Sequence, residues 1–219
     1  MMRLGEVNGS PYIGVYCAAS ETLALAPDNV DERVVRELGE ALGVPVLRIY
    51  VAGSIVVGSL VAMNSHGVVL TNFAEKHEIA RFPKELRIGK MAEKHNAAGN
   101  NILANDHAAY VNPEVSRSTE MFLQDVLGVE VQAKAVAGIE TVGSACIATN
   151  KGVVCHPRTS EDELREISAF FKVPAVVASL NYGMPIIGAC AVANSKGAYV
   201  GARSTPIELG RLEDGLGLF

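Results

Sequence analysis

The sequence predicts an α/β protein built as a five-fold pseudosymmetric ring, an α/β propeller of ββαβ repeats closed by its own N-terminal strand. Three observations lead there. A glycine, a small apolar run and a polar turn recur from Gly14, Gly58, Gly99, Gly143 and Gly188, at spacings of 44, 41, 44 and 45 residues. A helix signal and then a β-rich run follow the first four copies, and a helix signal alone follows the fifth. The chain also opens with a strand-like segment that no helix precedes. Periods of this size mark repeat architectures, because one such unit cannot bury its apolar face alone.

The first segment, Leu4 to Ser10, aligns with Leu47 to Ser54, Ala133 to Ile139 and Val177 to Met184, each of which stands before a later copy. It reads as the strand that completes the fifth unit, and closing the series this way leaves no free sheet edge. Each copy then reads as a β-hairpin, most plainly in Gly188 to Gly201, GACAVANSKGAYVG. The turns are Ser20 to Leu23, Asn64 to Gly67, Asn105 to Ala108, Thr149 to Gly152 and Asn194 to Gly197. Asn and Gly tolerate the positive φ of tight turns, and the first copy has departed furthest from that pattern. Twelve places after each anchor stand Ala26, Leu70, Val111, Cys155 and Val200, a core column.

Helices follow. Ser160 with Glu163 and Thr205 with Glu208 are capping boxes, the second with Pro206 at the first helical position. Val34, Leu38 and Leu42 share one helical face, as do Phe122 and Val126, and Leu164, Ile167 and Phe171. Gly43, Gly128 and the Pro174 region mark helix ends, and the β-rich runs Val44 to Val51, Val129 to Ala137 and Val173 to Leu180 come next. Pro83 cuts the second helix short after Phe82. No linker interrupts the series, so residues 1–219 are expected to form a single domain.

Composition narrows the function. The chain is 49% hydrophobic with no Trp and a formal charge of -5. That balance argues against wrapping nucleic acid by neutralising phosphates, although an acidic protein can still bind a nucleoprotein particle through its basic proteins. The four cysteines, at 17, 146, 155 and 190, lack CxxC spacing and read as reduced thiols of a cytoplasmic protein. Glu6 and Asn8 interrupt any apolar leader, and the longest apolar run, Ile55 to Met63, is too short to span a bilayer.

A cysteine nucleophile is the first chemistry to weigh, since rings of five such units also carry enzymes that attack guanidino carbons. Cys155 shares its column with Ala26, Leu70, Val111 and Val200, and Cys17 and Cys146 share theirs with Val61, Ile102 and Ala191. A thiol interchangeable with valine reads as packing. Adjacent Cys155 and His156 point to opposite faces of a strand, which speaks against a metal site. Gly53 and Gly58 have phosphate-loop spacing, but Ser59 and Leu60 follow, with no Lys. The glycine pair recurs in four copies, as Gly9, Gly53, Gly138 and Gly183 before their anchors with Lys94 the exception, so it reads as a backbone requirement. His66 and His107 occupy equivalent turn positions, with Lys151 and Lys196 in two other copies. They are either plain polar turns or a circle of donors aimed at a partner.

Asn64 to Gly67, Gly99 to Asp106, Thr149 to Gly152 with His156 and Pro157, and Asn194 to Gly197 through Ser204 to Leu209 carry a resemblance. Together with the five-copy layout they resemble the translation initiation factor 6 family of archaeal type, over essentially the whole chain. The resemblance implies a pentein fold with helices outside a central cavity. It implies binding to the large (50S) ribosomal subunit where the small one docks, blocking of their joining, and a role in large-subunit maturation. The partner implied is chiefly a ribosomal protein near the sarcin-ricin loop, with a minor rRNA contact; a cytoplasmic monomer is implied, with no membrane, cofactor, metal or catalytic residue. The contact role carries over to Asn64, His66 and Asn105, and next to Ser59, Asp106, Lys151 and Lys196. Eukaryotic members have a tail with no counterpart after Phe219, so tail-based regulation is not carried over. The rival, a cysteine-dependent guanidine-modifying enzyme, expects a reactive thiol in the central cavity; a free-standing RNA-binding module expects tight binding to naked rRNA.

Overall fold

Asn and Gly at the polar turns favour hairpins, and the computed structural model, which describes residues 1–219, has one in every copy. After β1 (Met2–Gly5), the first unit runs α1 (Ile13–Tyr16), β2 (Ala18–Ala19), β3 (Ala24–Pro27), α2 (Glu32–Leu42) and β4 (Val46–Ile49). The second is α3 (Val57–Leu60), β5 (Val61–Met63), β6 (Gly67–Thr71), α4 (Lys76–Ile79) and β7 (Arg87–Met91). The third is α5 (Ala98–Asn101), β8 (Ile102–Ala104), β9 (Ala108–Val111), α6 (Arg117–Leu127) and β10 (Glu130–Ala133). The fourth is α7 (Val142–Ala145), β11 (Ile147–Ala148), β12 (Val153–Cys155), α8 (Glu161–Phe171) and β13 (Ala175–Val177). The fifth has a 3-10 turn (Ile187–Ala189), β14 (Ala191–Asn194), β15 (Gly197–Gly201) and α9 (Pro206–Leu216).

Five three-stranded sheets result. In each, the hairpin is antiparallel and the third strand lies parallel to the hairpin's second strand, as a crossover through a helix requires. The fifth sheet takes its third strand from the start of the chain: β1 pairs with β15 in parallel, Met2 opposite Ala198 and Gly5 opposite Gly201. That strand begins two residues before the expected Leu4.

The anchor glycines do not begin strands, as the hairpin pattern had suggested. They sit in single helical turns just before them. The reason is close packing of backbone on backbone. A Cβ on Gly58 would lie 2.2 Å from Gly14 O, on Gly99 1.8 Å from Gly58 O, on Gly143 2.1 Å from Gly99 O and on Gly188 2.0 Å from Gly143 O. On Gly14 it would lie 1.9 Å from Gly188 O.

Four helices, α2, α6, α8 and α9, have eleven residues each, with side-chain caps from Asp31, Ser116, Ser160 and Thr205. Three stop at a left-handed glycine, Gly43, Gly128 or Gly217. The fourth, α8, stops at Lys172 in the same conformation, two residues before the Pro174 that the sequence marks. Each buries its apolar stripe on the neighbouring unit. Val34, Leu38 and Leu42 of α2 share a core with Val192 and Tyr199 of the fifth unit. Leu123, Val126 and Leu127 of α6 pack with Val69 and Met91 of the second, and Phe171 of α8 packs edge-on against Tyr110 of the third. No unit owns its core, which is why none is expected to fold alone.

The recurring Gly before each anchor has a conformational cause. Gly9, Gly53, Gly138 and Gly183 have φ between +66° and +87°, and Asn8, Ala52, Ala137 and Tyr182 before them are left-handed too. Three of these turns are held by the glutamate three residues after a helix N-cap. Ala52 N and Gly53 N donate to Glu78, Ala137 N to Glu163, and Tyr182 N and Gly183 N to Glu208. Glu163 thus caps its own helix, as the sequence predicts, and also holds the loop that follows the third unit. In the third unit the direction is reversed, and Glu93, on the loop, accepts from Ser116 N and Thr119 Oγ1 at the start of α6.

Burial by itself raises the Glu78, Glu163 and Glu208 carboxyls, but the backbone N–H groups aimed at them outweigh it and hold all three below the ordinary 4.5. The Thr119 hydroxyl and Ser116 do the same for Glu93. A folded pKa below the unfolded one gives stability that is complete above the ordinary value and is lost as pH falls through the folded value. Thermal melts should therefore be flat from pH 7 to about 5 and fall steeply below about 4, with a shallower fall in Glu208→Gln. A melting temperature constant down to pH 3 would contradict these ties.

Candidate functional site

The five polar turns gather at one end of the strands, and the geometry there is a chain of clamps from one unit to the next. Asn64 Nδ2 donates to Asn105 O (3.1 Å) and to Leu127 O (2.9 Å), the last carbonyl of α6. Asn105 Nδ2 repeats this on Thr149 O and Phe171 O, and Asn194 Nδ2 on Ser20 O and Leu42 O. Each Oδ1 accepts the two N–H groups two and three places further along its own turn, for Asn105 those of His107 and Ala108. Asn64 and Asn105 are thus 2% and 4% exposed, with all their hydrogen-bonding capacity used inside the protein.

One place further along each turn lies a second set of ties. Ser65 N and Oγ donate to the Asp106 carboxylate, and Asp106 N donates to Asn150 Oδ1 while Asn150 Nδ2 returns to Asp106 Oδ2. Ser195 N and Oγ donate to Glu21 in the same way. Half-burial raises the Asp106 carboxyl, but Asn150, Ser65 and nearby His66 together pull it below its ordinary 3.8, so it stays ionised. Sequence reasoning singled out Asp106 but missed Glu21, Ser65, Asn150 and Ser195; the shared column, seven places after each anchor, was the available signal.

The third column points outward. Thr22, His66, His107, Lys151 and Lys196 are all exposed. Lys196 Nζ donates to Glu21 O and Lys151 Nζ to Gly217 O, just past α9, where the helix's carbonyl end favours a cation. The structure therefore brings Asn64, His66, Asn105, Asp106, Lys151 and Lys196 to one end, the amides inside and the His and Lys side chains outside. Ser59 does not join them. It lies half-buried in α3, at the opposite end of β5.

A cavity of about 100 Å³ lies among the anchor glycines and the first strands of the hairpins. Cys17 and Cys146 border it, yet each is 1% exposed, and the rest of the lining is Gly and aliphatic side chains with no acid or base. Burial pushes the Cys17 and Cys190 thiols up to about 12, and a hydrogen bond with Cys146 together with burial pushes Cys155 up as well. A thiol held protonated with no base beside it is a poor nucleophile. No group of three or more His, Cys, Asp or Glu is placed to hold a metal ion, and no helix is long and apolar enough to cross a membrane.

Comparison with known proteins gives the family. The eIF-6 family's sequence model matches residues 2–215. The chain is similar to the translation initiation factor 6 of three archaea: 36% identical to that of Pyrococcus horikoshii over 97% of this chain and 96% of the relative, 37% to that of Thermoplasma acidophilum over 98% and 99%, and 38% to that of Methanocaldococcus jannaschii over 96% of each. A match over nearly the full length of both chains leaves one conclusion: this chain belongs to the eIF-6 family, which is a family of translation initiation factors and not of enzymes.

Proposed function

We propose that the chain closes into a five-fold ring of the pentein type, one domain over residues 1–219, which binds the large ribosomal subunit and by its bulk prevents the small subunit from joining. The observation that carries this reading is the clamped end of the five hairpins. It is a rigid surface, fixed from inside by Asn64, Asn105, Asp106 and Asn194, that offers His66, His107, Lys151 and Lys196 outward as donors. Closure is supported by the anchor glycines, whose contacts return from Gly188 to Gly14, and by β1 on β15. Obstruction needs stiffness and area, not chemistry. The donors suit backbone and side-chain acceptors of a ribosomal protein near the sarcin-ricin loop, with a minor contact to rRNA phosphates. The same occupancy on a newly made subunit would serve large-subunit maturation in the cytoplasm.

Sucrose-gradient sedimentation of purified archaeal subunits, under conditions that favour joining, tests this directly. Added protein is expected to travel with the large subunit and to leave the two subunits separate. Binding should weaken as salt rises, because exposed charges at the contact are screened. The variant His66→Ala/Lys151→Ala/Lys196→Ala should bind about tenfold more weakly and melt only slightly below the wild type, because the Lys151 and Lys196 ties it loses are exposed ones. Joined subunits in undiminished amount would end the proposal.

A further inference from the structure

Two departures from the five-fold pattern fall on the same seam. Helices α2, α6, α8 and α9 each end against the turn of the preceding unit, where Asn194, Asn64 and Asn105 bond the carbonyls of Leu42, Leu127 and Phe171, and Lys151 bonds that of Gly217. Helix α4 has only four residues. Proline cannot donate and its ring blocks the preceding turn, so Pro83 forbids the remaining two turns. The turn that α4 should have ended against, Ser20 to Leu23, is also the one with neither an Asn nor a Lys to bond a helix end: Ser20 Oγ bonds back to Leu23 within its own turn, as Thr149 Oγ1 does to Gly152, but no counterpart of Lys151 reaches the next unit. Eleven residues after the N-cap, where the other helices bury Leu42, Leu127, Phe171 and Leu216, stands Leu86, outside any helix and half-buried. What remains is a cleft of about 340 Å³ between the first and second units, walled by Thr22, Leu23, Pro45, Ser65, Pro83, Glu85 and Leu86.

The geometry points to this cleft as a socket for one large apolar side chain carried on a cationic segment of a large-subunit ribosomal protein. The inference rests on the reading of the turn end as the ribosome-facing side, and Thr22, from that end, forms part of the cleft's rim. The four sister seams show what fits such a space, since each receives a helix end with a fully buried Leu or Phe. Two prolines and two leucines make walls that need little reordering on binding, which favours affinity. The only charged lining residue is Glu85, which complements a cation and repels a phosphate. A peptide therefore fits this cleft, and an RNA strand does not.

Co-pelleting with purified archaeal large subunits at a series of protein concentrations tests the socket. Thr22→Trp sets an indole over the cleft and should weaken binding about tenfold, the usual scale for losing a buried anchor. Glu85→Lys lies on the surface and should weaken it about threefold, with a shallower dependence on salt. Thermal melts of both variants establish that they are folded, and Glu85→Lys decides the matter should Thr22→Trp fail to fold. Wild-type affinity in Glu85→Lys and in a folded Thr22→Trp overturns the socket and leaves the ribosome reading standing. Wild-type protein that does not pellet overturns both. Tighter binding by Glu85→Lys identifies RNA in the cleft and also overturns it.

Discussion

Gly58→Ala should leave the protein unfolded or insoluble, a loss of more than about 3 kcal/mol, beyond the usual range for overpacking a core. A Cβ there would sit 2.2 Å from the backbone oxygens of both Gly14 and Cys17. Neither is the end of a flexible side chain. Relief requires moving the first unit away from the second, and the cores shared across neighbouring units resist that movement. Gly210→Ala provides the contrast. Gly210 lies in the middle of α9 with nothing within 4 Å of a new Cβ, so alanine there should stabilise by about 0.5–1 kcal/mol through helix propensity. Urea unfolding of the two variants beside the wild type separates close approach from propensity. A Gly58→Ala protein as stable as the wild type would mean that the units do not meet through their anchor glycines.

Much of the fold was legible because it is local and repeated. The capping boxes at Ser160 and Thr205, the left-handed Gly43 and Gly128, and the buried column from Ala26 to Val200 each follow from a few neighbouring residues. The helical turns at the anchors were not legible. Four residues are too few to carry a periodicity, and their glycine packs against the carbonyl of the neighbouring unit, a contact that sequence spacing does not show. Lys172 stands where the other three long helices have glycine, at a cost of about 1–2 kcal/mol for a side chain in the left-handed region, and only Pro174 marked that end in the sequence. At the site, polarity was read correctly and depth was not. Turn asparagines are ordinarily exposed, and only the packing of the next unit's helix over the turn puts Asn64 and Asn105 inside while His66 and Lys196 stay outside. Glu78, Glu163 and Glu208 were hidden for the same reason, because their partners lie about 25 residues away in sequence.

That difference between inside and outside is open to a sharp test at Asn105. Asn105→Ala removes partners from four backbone groups at once: Thr149 O and Phe171 O on one side, His107 N and Ala108 N on the other. Each buried group left unpaired costs about 1–3 kcal/mol, and water entering the gap recovers part of it, so a net loss of about 3–5 kcal/mol is expected. The chain itself contains the intermediate case. Thr149 holds the equivalent place in the fourth turn, where its Oγ1 accepts from Lys151 N and Gly152 N but has no amide to reach the next unit. Asn105→Thr should therefore keep the turn, lose the tie between units and cost about half as much. Binding to the large subunit separates a clamp from a contact. The clamp predicts that Asn105→Ala loses stability first, with weakened binding only as its fold fails, whereas His66→Ala loses binding at an unchanged melting temperature. An Asn105→Ala protein that melts like the wild type yet no longer binds would make the amide a contact, and its burial between the third and fourth units would have to be abandoned.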